Sequence, residues 1–293
     1  MWKERWSEDC RWPVPGQHTH FSEENTVNLK SRDYWSYHSL CKDPKGLVFL
    51  FHGWGCHSNT LAFLAERLNS EGFSCFGLDQ LGHGKTTKSF FTCESSIEDS
   101  GHFVELIKSQ YDWRIPVFLV GVDLGALICL NLALTLGVVV KGVVLISPLL
   151  ELSWNPSCFI VSLRSCCLPL PKDTYSLHTR NENSVDFMAS DNLLDPSKLN
   201  YTNREELNKL IRLTVGKFSI MKFRVLVIHG GSDKVTDLSA VKQFVQEIPS
   251  KNKLFLLYNN MFHGAVYEPE IHDIREKVAL WLSNSGSVRK VNN

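Results

Sequence analysis

Apolar strands and helix-length segments alternate along most of this 293-residue chain, and this alternation restricts the possible folds more than any other feature of the sequence. Short β-branched, apolar runs suit strands that are buried on both faces. A chain that repeats strand and helix forms a mostly parallel sheet with helices on both faces. The sequence therefore predicts an α/β fold.

The predicted elements divide the chain into a core and an insertion. The predicted strands are Leu47–Phe51, Ser74–Leu78, Val117–Val120, Val143–Ile146, Val225–Ile228 and Leu254–Tyr258. The predicted helices are Asn59–Ser70, Ile97–Gln110, Leu124–Leu136, Leu238–Glu247 and Ile271–Ser283. We expect residues 43–149 and 222–285 to form the core, residues 1–42 an N-terminal extension with leading strands, and residues 286–293 a flexible tail. Residues 150–221 break the alternation and are expected to form a lid insertion over one end of the sheet.

One apolar stretch, residues 117–140, has the length of a membrane span and a single charge, Asp123. A bilayer helix needs about 20 such residues. Glycines on both sides of Asp123 and a β-branched run after Pro116 indicate instead a strand, a sharp turn, a helix and a second strand. The sequence thus predicts no transmembrane segment.

Composition excludes several classes of function. The chain has 31 basic and 31 acidic residues, so it carries no general attraction for nucleic acid or anionic lipid. Its nine cysteines form no CxxC pair or zinc-type cluster, which argues against disulfides and structural zinc. The charged N-terminus lacks the pattern of a secretory signal, so we expect a cytoplasmic, reduced protein.

Four motifs follow predicted strands, where folds of this class place their reactive groups. His52-Gly53-Trp54-Gly55 can turn backbone N–H groups toward a site. Gly121-Val122-Asp123-Leu124-Gly125 has the spacing of a strand-to-helix elbow that exposes its central side chain. Asp233 and His263 each follow a later strand. The order Asp123, Asp233, His263 is that of nucleophile, acid and histidine in an α/β-hydrolase.

These motifs resemble the α/β-hydrolase superfamily, and most closely its monoacylglycerol lipase and lysophospholipase-like branch. The similarity runs from about Gly46 to Leu282 and is carried by FLFHGWG, FGLDQLGHGKT, PVFLVGVDLGA, VLVIHGGSDKVTD and MFHG. The resemblance implies that Trp54 and Leu124 supply oxyanion-hole N–H groups, that Asp233 orients the base and that His263 is the base. It also implies a lipid-like substrate.

The chain departs from that branch at the nucleophile, where Asp123 stands in place of serine. A carboxylate that attacked an ester would form a mixed anhydride and expel an alkoxide, which is an unfavourable exchange. Carboxylates act instead on saturated carbon, opening epoxides or displacing halide, and a histidine-activated water then hydrolyses the enzyme ester. The sequence therefore suggests a covalent Asp123 ester formed from a small apolar substrate, with an epoxide as one candidate.

The resemblance to other enzymes with an aspartate nucleophile is incomplete. Haloalkane dehalogenases have tryptophan directly after the nucleophile, where this chain has Leu124, so dehalogenation is disfavoured. Epoxide hydrolases usually have proline where this chain has Gly55, and they need lid phenols to protonate the opening oxygen. The insertion contains two tyrosines, Tyr175 and Tyr201, as candidate lid acids.

Three hypotheses stay open from the sequence. The chain is an enzyme with Asp123 as nucleophile, an esterase or lipase related to the monoacylglycerol lipases, or a non-catalytic α/β-hydrolase-fold protein that binds a lipid or a partner. None of them implies a metal or an organic cofactor, and none involves nucleic acid. Transient contact of the lid with a membrane is compatible with all three, and the oligomeric state and the identity of the substrate are left open.

Overall fold

The computed structural model describes residues 12–86, 91–136, 139–152, 172–195 and 201–284. Its strands are β1 (Glu23–Leu29), β2 (Arg32–Ser39), β3 (Gly46–Phe51), β4 (Phe73–Leu78), β5 (Val117–Val122), β6 (Val140–Ile146), β7 (Val225–Gly230) and β8 (Lys253–Tyr258). Its α-helices are α1 (Ala62–Ser70), α2 (Cys93–Lys108), α3 (Leu124–Thr135), α4 (Glu182–Ser190), α5 (Tyr201–Val215), α6 (Leu238–Glu247) and α7 (Ile271–Ser283).

The strands form one eight-stranded sheet in the order β1-β2-β4-β3-β5-β6-β7-β8. The strands from β4 to β8 in that order pair in parallel, and the β1–β2 and β2–β4 pairs are antiparallel. The predicted mostly parallel sheet is therefore confirmed. Because parallel strands end at the same edge, the loops after β3, β5, β7 and β8 lie on one side of the molecule.

Helices cover both faces of the sheet and exclude water from it. Every residue of β3, β4, β5 and β7 is buried, as expected for central strands with apolar layers on each side. Apolar side chains of α1 and α7 pack on one face, whereas those of α2, α3, α5 and α6 pack on the other. This two-sided core holds the ends of the strands in fixed positions.

The apolar stretch from residue 117 to residue 140 divides as the glycines predict. It forms β5, a turn at Asp123, α3 and the first residue of β6. Within the described part of the chain, no helix combines the length and the apolar character that crossing a bilayer requires.

Two helices begin at residues other than the predicted ones. Helix α2 begins at Cys93 rather than Ile97, because the Thr92 side chain accepts a hydrogen bond from the Ser95 N–H and caps the helix. The predicted helix from Asn59 begins as a 3₁₀ turn, Ser58–Leu61, before α1. Both differences arise at helix starts, where local hydrogen bonds decide the boundary.

Part of the predicted insertion is described by the structure. It contains a 3₁₀ segment, Lys172–Leu177, followed by α4 and α5. Residues 153–171 and 196–200 of the predicted lid, and the predicted tail at 286–293, lie outside the described residues.

Gly125 lets α3 approach the end of β3. A Cβ atom on Gly125 would lie 2.0 Å from the Phe51 carbonyl oxygen, which is backbone and cannot move aside. We expect Gly125→Ala to lower the free energy of unfolding by about 3 kcal/mol or more. Denaturant unfolding measures the change.

Gly101→Ala is the matched control for this substitution. Gly101 lies inside α2, and a Cβ there would meet Leu132 at 3.5 Å, an ordinary contact. Alanine at this position is expected to stabilise the protein by about 0.5–1 kcal/mol, because glycine is the poorer helix former. Equal effects of the two substitutions would contradict the close approach at Gly125.

Candidate active site

Asp123 occupies a strained turn between β5 and α3. Its backbone has φ 53° and ψ −114°, in a region that residues with a side chain rarely adopt. A Cβ on Gly121 would lie 2.3 Å from the Gly125 carbonyl oxygen, so the turn closes only because both flanking residues are glycines. The Asp123 N–H donates to the Ile146 carbonyl at 3.0 Å and fixes the turn to the end of β6.

The structure brings the three predicted residues together. His263 Nε2 lies 3.4 Å from Asp123 Oδ1, and His263 Nδ1 lies 2.9 Å from Asp233 Oδ2. His263 comes from the loop after β8, and Asp233 from the loop after β7. His263 is 3% exposed and Asp123 8%, so their charges interact with little screening by water.

The turn after β7 holds the Asp233 carboxylate. Its Oδ1 accepts hydrogen bonds from the N–H groups of Val235 at 2.8 Å and Thr236 at 2.9 Å. Its Oδ2 accepts from the Thr236 hydroxyl at 2.7 Å, in addition to the contact with His263. These donors orient the carboxylate, which in turn fixes the rotation of the His263 ring.

The loop after β3 presents one N–H group to Asp123. The Trp54 N–H donates to Asp123 Oδ2 at 2.8 Å, at the place that the sequence predicts for an oxyanion-hole donor. The loop is held by the His52 ring, which accepts from the Gln80 N–H at 2.9 Å. Leu124, the second predicted donor, is the buried first residue of α3, and the N–H groups of a first helical turn have no partner within the helix.

Two carboxylates set the charge of His263. Burial lowers the pKa of His263, but the charge of Asp233 and the hydrogen bonds to Asp123 and Asp233 outweigh burial and raise it to about 10. Burial also raises the pKa of Asp233, and the charge and hydrogen bond of His263 reverse this and lower it below its usual value. The ring is therefore an imidazolium at neutral pH, held between two aspartates.

Of the two candidate lid acids, Tyr175 and Tyr201, the structure describes the surroundings of Tyr175 only. Burial raises the pKa of Tyr175, which is partly buried, and the neighbouring Asp195 and Cys56 raise it further. These neighbours belong to the lid and to the loop after β3 and are not triad residues. Tyr201 is the first residue of α5, and its side chain lies outside the described part of the structure.

Sequence reasoning missed two histidines beside the triad. His178 of the insertion packs against His263, with ring centroids 5.3 Å apart. His229, at the end of β7, is fully buried with Nε2 3.6 Å from Asp233 Oδ2, and burial lowers its pKa to about 4. Its spacing of four residues from Asp233 is a signal that could have identified His229, whereas no local pattern marks His178.

The described residues include one group with metal-ligand atoms close together, and it contains none of the triad residues. The group is Cys93, Glu94 and Glu206, at the start of α2 and on α5. Glu94 forms an ion pair with Lys209 and accepts a hydrogen bond from the Cys93 thiol at 3.2 Å. Protein groups thus already pair the Cys93 thiol and the Glu94 carboxylate.

Comparison with known proteins identifies the family to which the chain belongs. The sequence model of the family described as serine aminopeptidase, S33, matches residues 42–270. Monoglyceride lipase of Rattus norvegicus is 24% identical over 253 residues, which cover 82% of this chain and 83% of the relative. Phospholipase YtpA of Bacillus subtilis is 24% identical over 239 residues, covering 79% of this chain and 92% of the relative.

Solved structures share the arrangement of the chain. A soluble variant of monoglyceride lipase from Saccharomyces cerevisiae, in complex with a substrate analogue, superposes with a TM-score of 0.76 at 21% identity, covering 94% of this chain and 99% of that one. The monoacylglycerol lipase of Paleococcus ferrophilus gives 0.72 at 24% identity, covering 86% and 99%. The fold is therefore that of the α/β-hydrolases, as the sequence predicts.

Proposed function

The chain belongs to the serine aminopeptidase S33 family of α/β-hydrolases, and from this membership we propose that it is a hydrolase in which Asp123 attacks the saturated carbon of an apolar epoxide. One observation carries the proposal. The two oxygens of the Asp123 carboxylate have different partners, because Oδ2 accepts the Trp54 N–H and Oδ1 faces the His263 ring. Such a carboxylate has one oxygen to attack with and another to carry charge.

The resting charge of His263 matches the first step. Asp123 Oδ1 forms a bond to an epoxide carbon, the carbon–oxygen bond of the ring breaks, and its electron pair goes to the ring oxygen. That oxygen takes the proton from His263 Nε2, because the imidazolium is the nearest acid to Asp123 in the described structure. The products of the step are an Asp123 ester, a hydroxyl group on the substrate and a neutral His263.

Formation of the ester converts His263 into a base. Esterified Asp123 has no charge, so one of the two carboxylates that raise the pKa of His263 is lost. Neutral His263 then removes a proton from a water molecule that attacks the ester carbonyl, and the charge on Oδ2 falls on the Trp54 N–H. The Cγ–Oδ1 bond breaks, and Oδ1 leaves in the diol product with the proton that His263 removed from the water. Proton transfer from the new Asp123 carboxyl to the neutral His263 then restores the starting state.

The relatives support an apolar substrate. Several are named monoglyceride lipases, and one is named a phospholipase, so their names describe lipids with an acyl chain. We therefore extend the proposal to epoxides that carry an acyl chain or an aryl group. The same likeness favours a second candidate function, lipid ester hydrolysis, which the absence of serine at position 123 disfavours.

The pH dependence of ester formation follows from the His263 imidazolium, which faces Asp123, Asp233 and the ring of His178. Since its raised pKa is about 10, the proton is present at neutral pH and is lost as the pH rises through that value. We expect the rate of alkylation of Asp123 to be constant from pH 7 to 9 and to fall above pH 10. Single-turnover measurements by rapid quench, with circular dichroism to verify folding, test this, and a rate that increases toward pH 11 would contradict it.

Exchanging the nucleophile should exchange the substrate. Wild-type protein is expected to hydrolyse styrene oxide, but to hydrolyse an aryl ester no faster than the uncatalysed background rate. Asp123→Ser is expected to lose epoxide turnover and to cleave the aryl ester about 100-fold faster than wild type, because His263 would keep only Asp233 and could act as a base. Parallel assays of both substrates measure the exchange.

The double variant Asp123→Ser, His263→Gln is the control, since it keeps the serine and removes its base. It should cleave the ester at the wild-type level. A folded Asp123→Ser protein with no ester cleavage would show that the Trp54 loop does not serve as an oxyanion hole. Ester cleavage by the wild type, without epoxide turnover, would favour the second candidate function.

A further inference from the structure

The lid contributes a second histidine to the candidate active site. The rings of His178 and His263 meet edge to face, with centroids 5.3 Å apart and planes inclined by 64°. The backbone carbonyl of His178 accepts the N–H of Gly264, the residue after His263, at 2.7 Å. Contacts through both ring and backbone place His178 directly beside the predicted base.

Hydrogen bonds and an ion pair with Glu268 hold the segment around His178 against the loop that carries His263. Glu268, which is fully buried, accepts hydrogen bonds from the Thr179 hydroxyl at 2.7 Å and from the Arg180 N–H at 2.8 Å. The Arg180 side chain adds an ion pair to Glu268 at 2.9 Å. A buried carboxylate with this many partners holds its neighbours rigidly, so the position of His178 relative to His263 is fixed.

The ring of His178 is neutral and offers a hydrogen-bond donor. Burial, together with the positive charge of His263, lowers the pKa of His178 to about 4. Neither ring nitrogen of His178 forms a hydrogen bond with another residue in the part of the chain that the structure describes. The His178 side chain is partly buried, so a bound substrate that reaches the ring can supply the hydrogen-bond partner of its N–H.

We propose that His178 is a catalytic residue whose ring N–H hydrogen-bonds the epoxide oxygen of the substrate as the ring opens. The inference rests on the proposed function and deepens it, because it specifies how the lid recognises the substrate. Asp123 attacks the carbon, His263 supplies the proton, and His178 stabilises the negative charge that develops on the oxygen before the proton arrives. No net proton passes through His178. The sequence predicts Tyr175 and Tyr201 as lid acids that protonate this oxygen, whereas here the lid supplies only a hydrogen bond and the proton comes from His263.

The test measures alkylation and hydrolysis separately for three variants of His178. With enzyme in excess over styrene oxide, His178→Leu keeps the bulk of the ring but removes the donor, and should slow alkylation about 100-fold. His178→Gln, whose amide N–H has a similar reach, should retain alkylation within about tenfold, whereas the shorter His178→Asn should resemble leucine. Hydrolysis of the ester that forms should change much less in all three.

The matched control is His272→Gln. His272 is an exposed histidine on α7 whose ring also makes an edge-to-face contact, with Phe63 at 5.1 Å, and burial lowers its pKa too, but its ring partner is not a triad residue. This variant should alkylate at the wild-type rate. If His178→Leu does not fold, the difference between glutamine and asparagine at position 178 decides the question.

The outcomes separate this inference from the function on which it rests. If wild type forms the ester and the His178 variants form it equally fast, the role of His178 is wrong and the proposed function stands. If wild type forms no ester with any epoxide, the proposed function is wrong, and the role of His178 is overturned with it. Slower alkylation with leucine and asparagine, and rescue by glutamine, would establish the role.

Discussion

Replacing Asp123 by asparagine is expected to reduce epoxide turnover by at least about 1,000-fold, because an amide is a poor nucleophile and no other carboxylate oxygen lies at that turn. Asparagine keeps the size of the side chain and an oxygen that can accept the Trp54 N–H, so the fold should tolerate it. The loss should appear in kcat, since the carboxylate takes part in bond formation. Steady-state kinetics on styrene oxide, with unfolding curves for both proteins, measure it.

Asp186→Asn is the matched control, because Asp186 is an exposed carboxylate on α4. It should leave turnover unchanged. If Asp123→Asn retained most of the activity, direct attack by water or another nucleophile would have to be responsible. The covalent mechanism would then be wrong, although the fold and the arrangement of the triad would be unaffected.

Replacing His263 by glutamine should stop the reaction at the ester. An activated aryl epoxide can still alkylate Asp123 slowly without the imidazolium, but the ester has no base to activate water, so hydrolysis slows far more than alkylation. We expect the variant to gain the mass of one substrate molecule, located on Asp123 by peptide mass spectrometry. Wild type under the same conditions should show the adduct only transiently.

Heavy-oxygen water distinguishes this pathway from direct attack by water. In a single turnover with enzyme in excess, the oxygen delivered to the wild-type product comes from Asp123, so the first product should carry light oxygen and the enzyme should acquire the heavy atom. Heavy oxygen in all of the first-turnover product would show that water attacks the substrate itself. Asp123→Asn serves as the blank for incorporation.

Most of the fold could be predicted because its signal is local. The β-branched runs that become β5 and β7 are apolar throughout, as strands buried on both faces must be. The predicted start of α2 is wrong because the first residues of the helix, beginning with Cys93, lack an apolar stripe, and the helix starts at the Thr92 cap instead. Apolar periodicity thus predicts where an element is buried better than where it begins.

The site residues that can be predicted from the sequence are those that follow successive strands of the sheet in a recognisable order. Asp123, Asp233 and His263 each follow a strand of one parallel sheet, so topology alone brings them to a common edge. His178 comes from the insertion and reaches His263 through the long-range pairing of Arg180 with Glu268. No spacing rule predicts such a contact, because it depends on how an irregular segment packs.

The backbone conformation of Asp123 lowers the stability of the folded protein. A side chain at φ 53° and ψ −114° costs about 1–3 kcal/mol relative to an unstrained turn, and glycine would remove most of that cost. Selection for stability alone would therefore replace Asp123 by glycine, and the neighbouring glycines would allow that substitution. An aspartate at this strained turn persists through evolution only under selection for a property other than stability.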